Sequence, residues 1–137
     1  MFKYILILGI FIYQLNASEL YLVGDDGELN GCISCNEYDG NSIWNKYSTF
    51  GNEYSIDSIW NEYGTYGNEY ATISPWNEYG EGMKIVDLNG NFYGYFTTNR
   101  YSNQTKIPLL KSILDTYINN EWESIEDFRD WVAPKIP

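Results

Sequence analysis

The chain contains no histidine. Histidine is the usual proton shuttle near neutral pH and the commonest side-chain ligand of transition metals. Without it the chain cannot form a Ser-His-Asp or Cys-His catalytic group, and its two cysteines cannot complete a zinc site built from Cys and His alone. Catalysis by this chain would therefore have to use carboxylates.

Basic residues are also scarce. Eight Lys and Arg stand against 19 Asp and Glu, which gives a formal net charge of −11. Such a chain is repelled by phosphate backbones and by anionic lipid surfaces, so neither nucleic acid nor a membrane surface is an expected partner. The simplest interpretation of this negative charge is that it keeps the protein soluble. It is also compatible with binding to cationic partners or metal ions.

The only notable apolar run is short and stands at the N-terminus. Lys3 is followed by apolar residues 4–13, and Ala17 supplies a small residue before Ser18. This pattern predicts a signal peptide at 1–17 and export to the periplasm or medium, and the run is too short to cross a bilayer. The alternative is an N-terminal core helix or strand. Residues 18–137 then have the length of a single domain with one modest core.

Cysteine occurs only at Cys32 and Cys35. In an exported protein the pair predicts a disulfide, either between the two residues or with another chain. A redox-active pair would instead require a helix N-terminus within a βαβ unit, whereas this pair ends a predicted strand.

A repeat of 16 residues is the most regular feature of the chain. Ser-x-Trp-Asn-x-Tyr recurs at 42–47, 58–63 and 74–79, and Asn-Glu-Tyr recurs between these units. The pattern has neither the alternation of a strand nor the period of a helix, so we predict a compact, turn-rich aromatic coil over 35–80. Its Asn and Ser side chains can bond nearby backbone amides. Its glycines are expected to adopt backbone conformations that other residues resist, at Gly51, Gly64, Gly67 and Gly80.

Two similar segments flank this coil. Residues 22–33 and 85–96 align at a constant offset of 63 and contain Asp26-Gly27 and Asn89-Gly90 respectively. These dipeptides predict hairpins with type I′ turns, at 20–34 and 84–101. The two related hairpins are expected to form one small sheet.

The C-terminal part, 107–133, is predicted to form two helices. Pro108 suits a first helical turn, and an apolar stripe follows it at Leu109, Leu110, Ile113, Leu114, Tyr117 and Ile118. Ser124 is predicted to cap a second helix that ends before Pro134 and places Ile125, Phe128, Trp131 and Val132 on one side. The predicted fold class is therefore α+β, with two hairpins in a small sheet, an aromatic repeat coil between them, and two C-terminal helices.

Aromatic side chains are the candidate ligand-binding groups. Rings in register form a platform for sugar rings if they face solvent, and the candidates are Trp44, Trp60, Trp76, Tyr54 and Tyr70. The competing interpretation is that these rings form the core, because the repeat segment has few aliphatic residues for that purpose.

The acidic residues do not indicate a catalytic pair. One repeated position is occupied by Glu37, Glu53, Glu62, Glu69 and Glu78, but by Lys46 and Arg100 in other copies. Such interchangeable charges predict a solvated position and not a desolvated catalytic pair. Asp25, Asp26 and Glu28 crowd one turn, as Ca²⁺ ligands do, but their spacing fits no EF-hand and is ordinary for a hairpin. We therefore predict no catalytic residue, metal ligand or cofactor.

Taken together, the tandem Ser-Ile-Trp-Asn-x-Tyr and Gly-Asn-Glu-Tyr units, with residues 31–38 and 85–95 on either side, resemble a group of small exported bacterial proteins. The resemblance covers about residues 21–101. It implies export and one structural unit, and no activity or site.

The sequence thus predicts an exported, non-enzymatic binding or structural protein, with a polysaccharide or a protein as partner. The alternatives are carbohydrate or cell-wall binding through the repeated aromatics, a small hydrolase using Asp25, Asp26 or the repeated glutamates, and a calcium-stabilised module.

Overall fold

The computed structural model describes residues 19–137. The predicted signal peptide, 1–17, lies outside the described residues. The elements are β1 (Leu20–Val23), β2 (Leu29–Cys32), β3 (Met83–Asp87), β4 (Phe92–Phe96), α1 (Pro108–Asn119) and α2 (Ile125–Val132), followed by a 3₁₀ turn at Ala133–Lys135. The predicted α+β class is confirmed, with both hairpins and both helices present.

The two hairpins share one antiparallel sheet with the strand order β2-β1-β3-β4. Each hairpin contributes one central and one edge strand. The central strands β1 and β3 pair antiparallel, with Leu20 opposite Asp87 and Val23 opposite Lys84. The two similar hairpins therefore form one sheet, as predicted, and they are joined through β1 and β3, the first strand of each hairpin.

Both hairpin turns have the same geometry, and it is not the predicted type I′. Gly27 N donates to Gly24 O at 3.0 Å, and Gly90 N donates to Asp87 O at 3.1 Å. In the described residues positive φ angles occur only at glycines, including 81° at Gly27 and 84° at Gly90. A type I′ turn needs positive φ at two successive residues, so these are three-residue loops that end in a left-handed glycine.

Between the hairpins, the Ser-x-Trp-Asn-x-Tyr units form turns held by side-chain hydrogen bonds. The hydroxyls of Ser42, Ser58 and Ser74 are fully buried. Each accepts from the backbone N–H of the tryptophan two residues later, at 3.0, 3.0 and 3.2 Å. These bonds satisfy amides that a regular strand or helix would otherwise pair.

The three tryptophans of these units form a ladder through the core. The indole Nε1 of Trp44 donates to Ile33 O at 2.9 Å, and the indoles of Trp60 and Trp76 donate to Ile43 O and Ile59 O at 2.6 Å each. Consecutive rings have centroids 5.5 and 5.3 Å apart. Successive 16-residue turns are therefore stacked in register, about one strand spacing apart.

None of the four repeat glycines has a positive φ, contrary to the prediction. Close approach requires Gly51, Gly67 and Gly80, whereas a Cβ at Gly64 would meet no atom closer than 3.3 Å. A Cβ at Gly51 would overlap the carbonyl oxygen of Asn45, and one at Gly67 would overlap that of Asn61. The prediction was wrong because the constraint comes from chain packing, which a residue type alone does not reveal.

Both helices begin where the sequence predicts, but their buried faces differ from the prediction at three residues. Pro108 begins α1, and Ser124 Oγ accepts from Asp127 N at 3.2 Å at the start of α2. Leu109 and Trp131, both placed on the apolar stripes, are 43% and 46% exposed. Arg129 is instead buried, because the repeat segment that faces α2 offers it hydrogen-bond acceptors.

One main core joins all of these parts. It combines the inward faces of the strands with the tryptophan ladder and with the helix residues Leu110, Leu114 and Phe128. The disulfide joins Cys32 to Cys35 and lies with Tyr21 in a separate small cluster. Within 19–137, neither helix has the length and apolar character needed to cross a bilayer.

Candidate functional site

The most distinctive surface feature is a set of tyrosines that the fold leaves almost fully exposed. Each follows an asparagine in an Asn-x-Tyr sequence, and their side chains are 83–99% accessible. The set is Tyr38, Tyr47, Tyr54, Tyr63, Tyr70, Tyr79 and Tyr101.

Each of these tyrosines is carried on a fixed turn. The Oδ1 of the preceding asparagine accepts the tyrosine N–H at 2.8–3.1 Å in all seven copies. In three copies the same side chain also donates from Nδ2, at 3.1 Å, to a carbonyl six residues earlier, from Asn45, Asn61 and Asn77. The asparagine thus fixes the backbone from which the ring projects.

Stacking of the turns arranges these rings into two sets. Tyrosines 16 residues apart occupy the same position in successive turns. The turns are about 5 Å apart, as the distances between the tryptophan ring centroids show. We call Tyr38, Tyr54 and Tyr70 the first tyrosine row, and Tyr47, Tyr63 and Tyr79 the second.

The predicted ligand-binding residues divide between core and surface. Trp44, Trp60 and Trp76 are 1–5% exposed and lie in the core, whereas Tyr54 and Tyr70 are 83% exposed. The other exposed tyrosines were not among the candidates. The signal for them is an Asn two residues before the ring within a turn. The spacing alone is not sufficient, because Asn91-Phe92-Tyr93 has it as well and Tyr93 lies half-buried on β4.

The repeated glutamate position is not uniformly solvated, contrary to the sequence expectation. Glu53 Oε2 accepts from Arg129 Nη1 at 2.5 Å, and this hydrogen bond from the guanidinium holds the pKa of Glu53 below its usual range. Glu62, by contrast, is exposed beside Tyr63, and the hydrogen bond between these two side chains raises the pKa of Tyr63.

A groove of about 440 Å³ opens between the repeat segment and the start of α2. Its charged lining residues are all acidic: Glu62, Glu69 and Glu123. Its walls carry the aromatic rings of Tyr63, Tyr70, Trp76, Tyr117 and Trp122. We call this the acidic groove. One tyrosine from each row lines it, so it continues into the surface that the rows form.

Tyr117, in the groove wall, lies near two carboxylates, of which Glu69 also lines the groove. Burial raises its pKa, and the carboxylates of Glu69 and Glu78 raise it further. Its ring packs 4.7 Å from that of Trp76 and 5.1 Å from that of Phe128, measured between centroids. Packed aromatic rings and carboxylates therefore lie together at this groove.

The acids of the first hairpin have structural partners. Asp25 Oδ1 accepts from the hydroxyl of Tyr66 at 2.6 Å, and Asp26 Oδ1 accepts from Glu28 N at 2.9 Å. Burial and the hydrogen bond to Asp25 raise the pKa of Tyr66 to about 12. These contacts attach the first hairpin turn to the repeat segment.

One cluster has the composition of a metal site. Ligand atoms of Glu19, Cys32 and Cys35 lie within 4.8 Å of one another. Both cysteines are joined in the disulfide, so they offer no thiolate to a metal. Glu19 instead accepts from the hydroxyl of Tyr21 at 2.6 Å.

Comparison with known proteins adds no relative. No family model matches the chain. No significantly similar curated protein was found, and no solved structure is significantly similar.

Proposed function

We propose that this chain is an exported, non-enzymatic binding protein and that the two tyrosine rows form its contact surface. The observation that carries the proposal is the exposure of seven phenol rings, each at 83% or more, on turns fixed by asparagine. Export rests on the N-terminal sequence pattern described above.

The fold forgoes the stabilisation that burial of these rings would give. Burying a large side chain in the core contributes about 1.5–3 kcal/mol, yet the fold buries the tryptophans and leaves the tyrosines outside. Tyrosine is enriched at protein interfaces, because it offers a large amphipathic ring with few rotatable bonds. Rings on a fixed backbone also lose little entropy when a ligand binds.

The partner best suited to such rows is an extended polymer. Each row repeats the same ring at the step of the stacked turns, so a chain lying along the row meets the same group several times. Repeated weak contacts of this kind add up through effective concentration.

A polysaccharide is a second candidate, supported by the regular succession of exposed rings. Aromatic faces pack against the apolar faces of other ring systems, and the tyrosine hydroxyl can bond to polar groups at the ring edge. Acidic residues beside the rings support a cationic polymer over a neutral one, because the glutamate directly precedes the tyrosine in most copies.

Replacing the rows tests this function. Two triple variants, Tyr38/Tyr54/Tyr70→Ser and Tyr47/Tyr63/Tyr79→Ser, would be compared with Tyr101→Ser, which removes an equally exposed ring outside the repeat segment. Binding would be measured to cellulose, chitin, peptidoglycan, hexa-arginine and hexa-glutamate. We expect at least one polymer to bind, at least one triple variant to lose about tenfold or more in affinity, and Tyr101→Ser to bind as wild type.

Thermal melting of each variant shows that the fold is retained, since exposed substitutions change stability by only about 0.5 kcal/mol each. Failure of every polymer to bind, or equal binding by both triple variants and wild type, would contradict the proposal.

A further inference from the structure

One repeat unit already binds an arginine of the same chain. Arg129 Nη1 donates to the carbonyl oxygen of Gly51 at 2.8 Å and to Glu53 Oε2 at 2.5 Å. The arginine side chain is only 3% exposed. Residues 51–54, Gly-Asn-Glu-Tyr, thus supply one backbone and one carboxylate oxygen to a guanidinium.

The same four residues recur at 67–70 with the same local structure. Asn52 N donates to Ser48 O and Asn68 N donates to Gly64 O, both at 3.0 Å. The asparagine Oδ1 accepts the tyrosine N–H in both copies, at 2.8 and 2.9 Å. Gly51 and Gly67 also approach equivalent asparagine carbonyls. The copies differ at one bond, since Gly51 N donates to Ser48, whereas the equivalent residue in the second copy is Gly64 and within 19–137 Gly67 N makes no such bond.

The two copies differ in what covers them. Within residues 19–137 no hydrogen bond reaches Gly67 O, and Glu69 makes no ion pair. Gly67, Asn68, Glu69 and Tyr70 instead line the acidic groove.

The register of α2 explains this difference. The residue one turn before Arg129 is Ile125, and it lines the acidic groove. The helix therefore presents a guanidinium to the copy at 51–54 and an aliphatic side chain to the copy at 67–70.

We propose that residues 67–70 bind an arginine side chain of a cationic polypeptide, in the way that residues 51–54 bind Arg129. This inference rests on the proposed function and names the chemical class of its ligand. Gly67 O and Glu69 are the acceptors. Guanidinium groups stack on aromatic faces as well as pairing with carboxylates, and Tyr70 and Trp122 offer such faces here.

Charge favours a polypeptide over a single free arginine. Among residues 19–137 the groove is lined by three carboxylates and by no basic side chain, which is more negative charge than one guanidinium neutralises. A tyrosine ring of the rows can also lie beside a cation, since Lys46 Nζ lies 5.4 Å from the ring centroid of its neighbour Tyr47. A segment with several basic residues can pair with the carboxylates of the groove and also contact the tyrosine rings.

The test is fluorescence anisotropy with labelled hexa-arginine, using free arginine and hexa-lysine as competitors. Glu69→Gln should weaken binding by about ten- to a hundredfold, as expected for losing a charge-assisted hydrogen bond. Glu28→Gln removes one charge from an exposed turn outside the groove and should change affinity less than about twofold. Hexa-lysine should compete more weakly than hexa-arginine, because an ammonium lacks the planar fork.

A second variant tests the register directly. Ile125→Arg places a guanidinium one turn before Arg129, so it should occupy the site from within and weaken hexa-arginine binding about tenfold or more, provided that its melting curve shows a folded protein.

Several results would overturn the inference. Equal effects of Glu69→Gln and Glu28→Gln, or equal competition by hexa-lysine, would show that hexa-arginine binds through the net charge of the protein and not at a specific arginine site. If hexa-arginine does not bind while a polysaccharide does, and row variants abolish that binding, the proposed function stands and the arginine site fails. If no polymer binds at all, both fail.

Discussion

Arg129 and Glu53 are 76 residues apart in the chain, and their side chains meet at 2.5 Å between Nη1 and Oε2. This contact connects α2 to the middle of the repeat segment. It also shows that a position filled by glutamate in several copies has a structural role in one of them. The contribution of this ion pair to the free energy of unfolding can be measured by substitution.

Glu53→Gln should lower the free energy of unfolding by about 1–3 kcal/mol, because a hydrogen bond to a buried charged group is lost or weakened. Glu78→Gln changes an exposed residue at the same repeated position and should stay within about 0.5 kcal/mol of wild type. Urea unfolding at neutral pH measures both. Equal effects of the two substitutions would show that the Arg129 contact contributes nothing specific.

Trp60→Phe should destabilise the fold by about 1–3 kcal/mol, because it leaves the carbonyl oxygen of Ile43 without its buried donor. Trp131→Phe is the matched control, since this indole is 46% exposed and lies outside the ladder, and it should cost no more than about 0.5 kcal/mol. The measurement is chemical unfolding followed by circular dichroism. A Trp60 variant as stable as the control would contradict the ladder.

Gly51→Ala should destabilise by about 1–3 kcal/mol or more, because its Cβ would overlap the carbonyl oxygen of Asn45, which belongs to the backbone and cannot rotate away. Gly40→Ala has no atom within 4 Å of its added Cβ and has no positive φ, so it should be neutral or stabilise by up to about 1 kcal/mol. Thermal melting of the two variants separates close packing from a general effect of adding alanine. The opposite order of stabilities would refute the stacked geometry.

Stability should fall in acid partly because of Asp87. Its carboxylate accepts from Asn91 Nδ2, from the hydroxyl of Tyr93 and from the backbone N–H groups of Asn89 and Asn91. These bonds, led by that from the Asn91 side chain, hold the pKa of Asp87 below its ordinary value. Because the folded pKa is the lower one, the contribution is complete above the unfolded pKa and is lost as the pH falls through the folded pKa.

The measurement is urea unfolding of wild type and Asp87→Asn between about pH 5 and pH 2. The wild type should lose more stability than the variant over this interval. Parallel curves for the two proteins would show that the turn does not bind the ionised form of Asp87 preferentially.

Much of the fold could be predicted because its signals are local. The offset of 63 residues indicates both hairpins, and Pro108 and Ser124 mark the starts of the helices. A disulfide is predicted from the two cysteines, but their pairing with each other is known only from the structure. The turn type was wrong because Asp26 and Asn89 accept more than one turn geometry, and the pairing of the strands decides between them.

The candidate site was harder to predict because it depends on contacts between distant segments. The sequence indicates aromatic residues as the candidates, but it does not show that the indoles of Trp44, Trp60 and Trp76 donate to carbonyl oxygens earlier in the chain. It also does not show that the rings of the two tyrosine rows stay exposed. The burial of Arg129 depends on where α2 lies against Gly51 and Glu53, which no local pattern encodes. The acidic groove follows from the same placement.

The most direct test of the account is hydroxyl-radical footprinting read by mass spectrometry, because it measures the solvent exposure of individual aromatic side chains in solution. We expect rapid oxidation of the tyrosines in both rows and strong protection of Trp44, Trp60 and Trp76, with protection appearing at Tyr63 and Tyr70 when hexa-arginine is added. Rapid oxidation of the three tryptophans, together with protected tyrosines in the free protein, would contradict it.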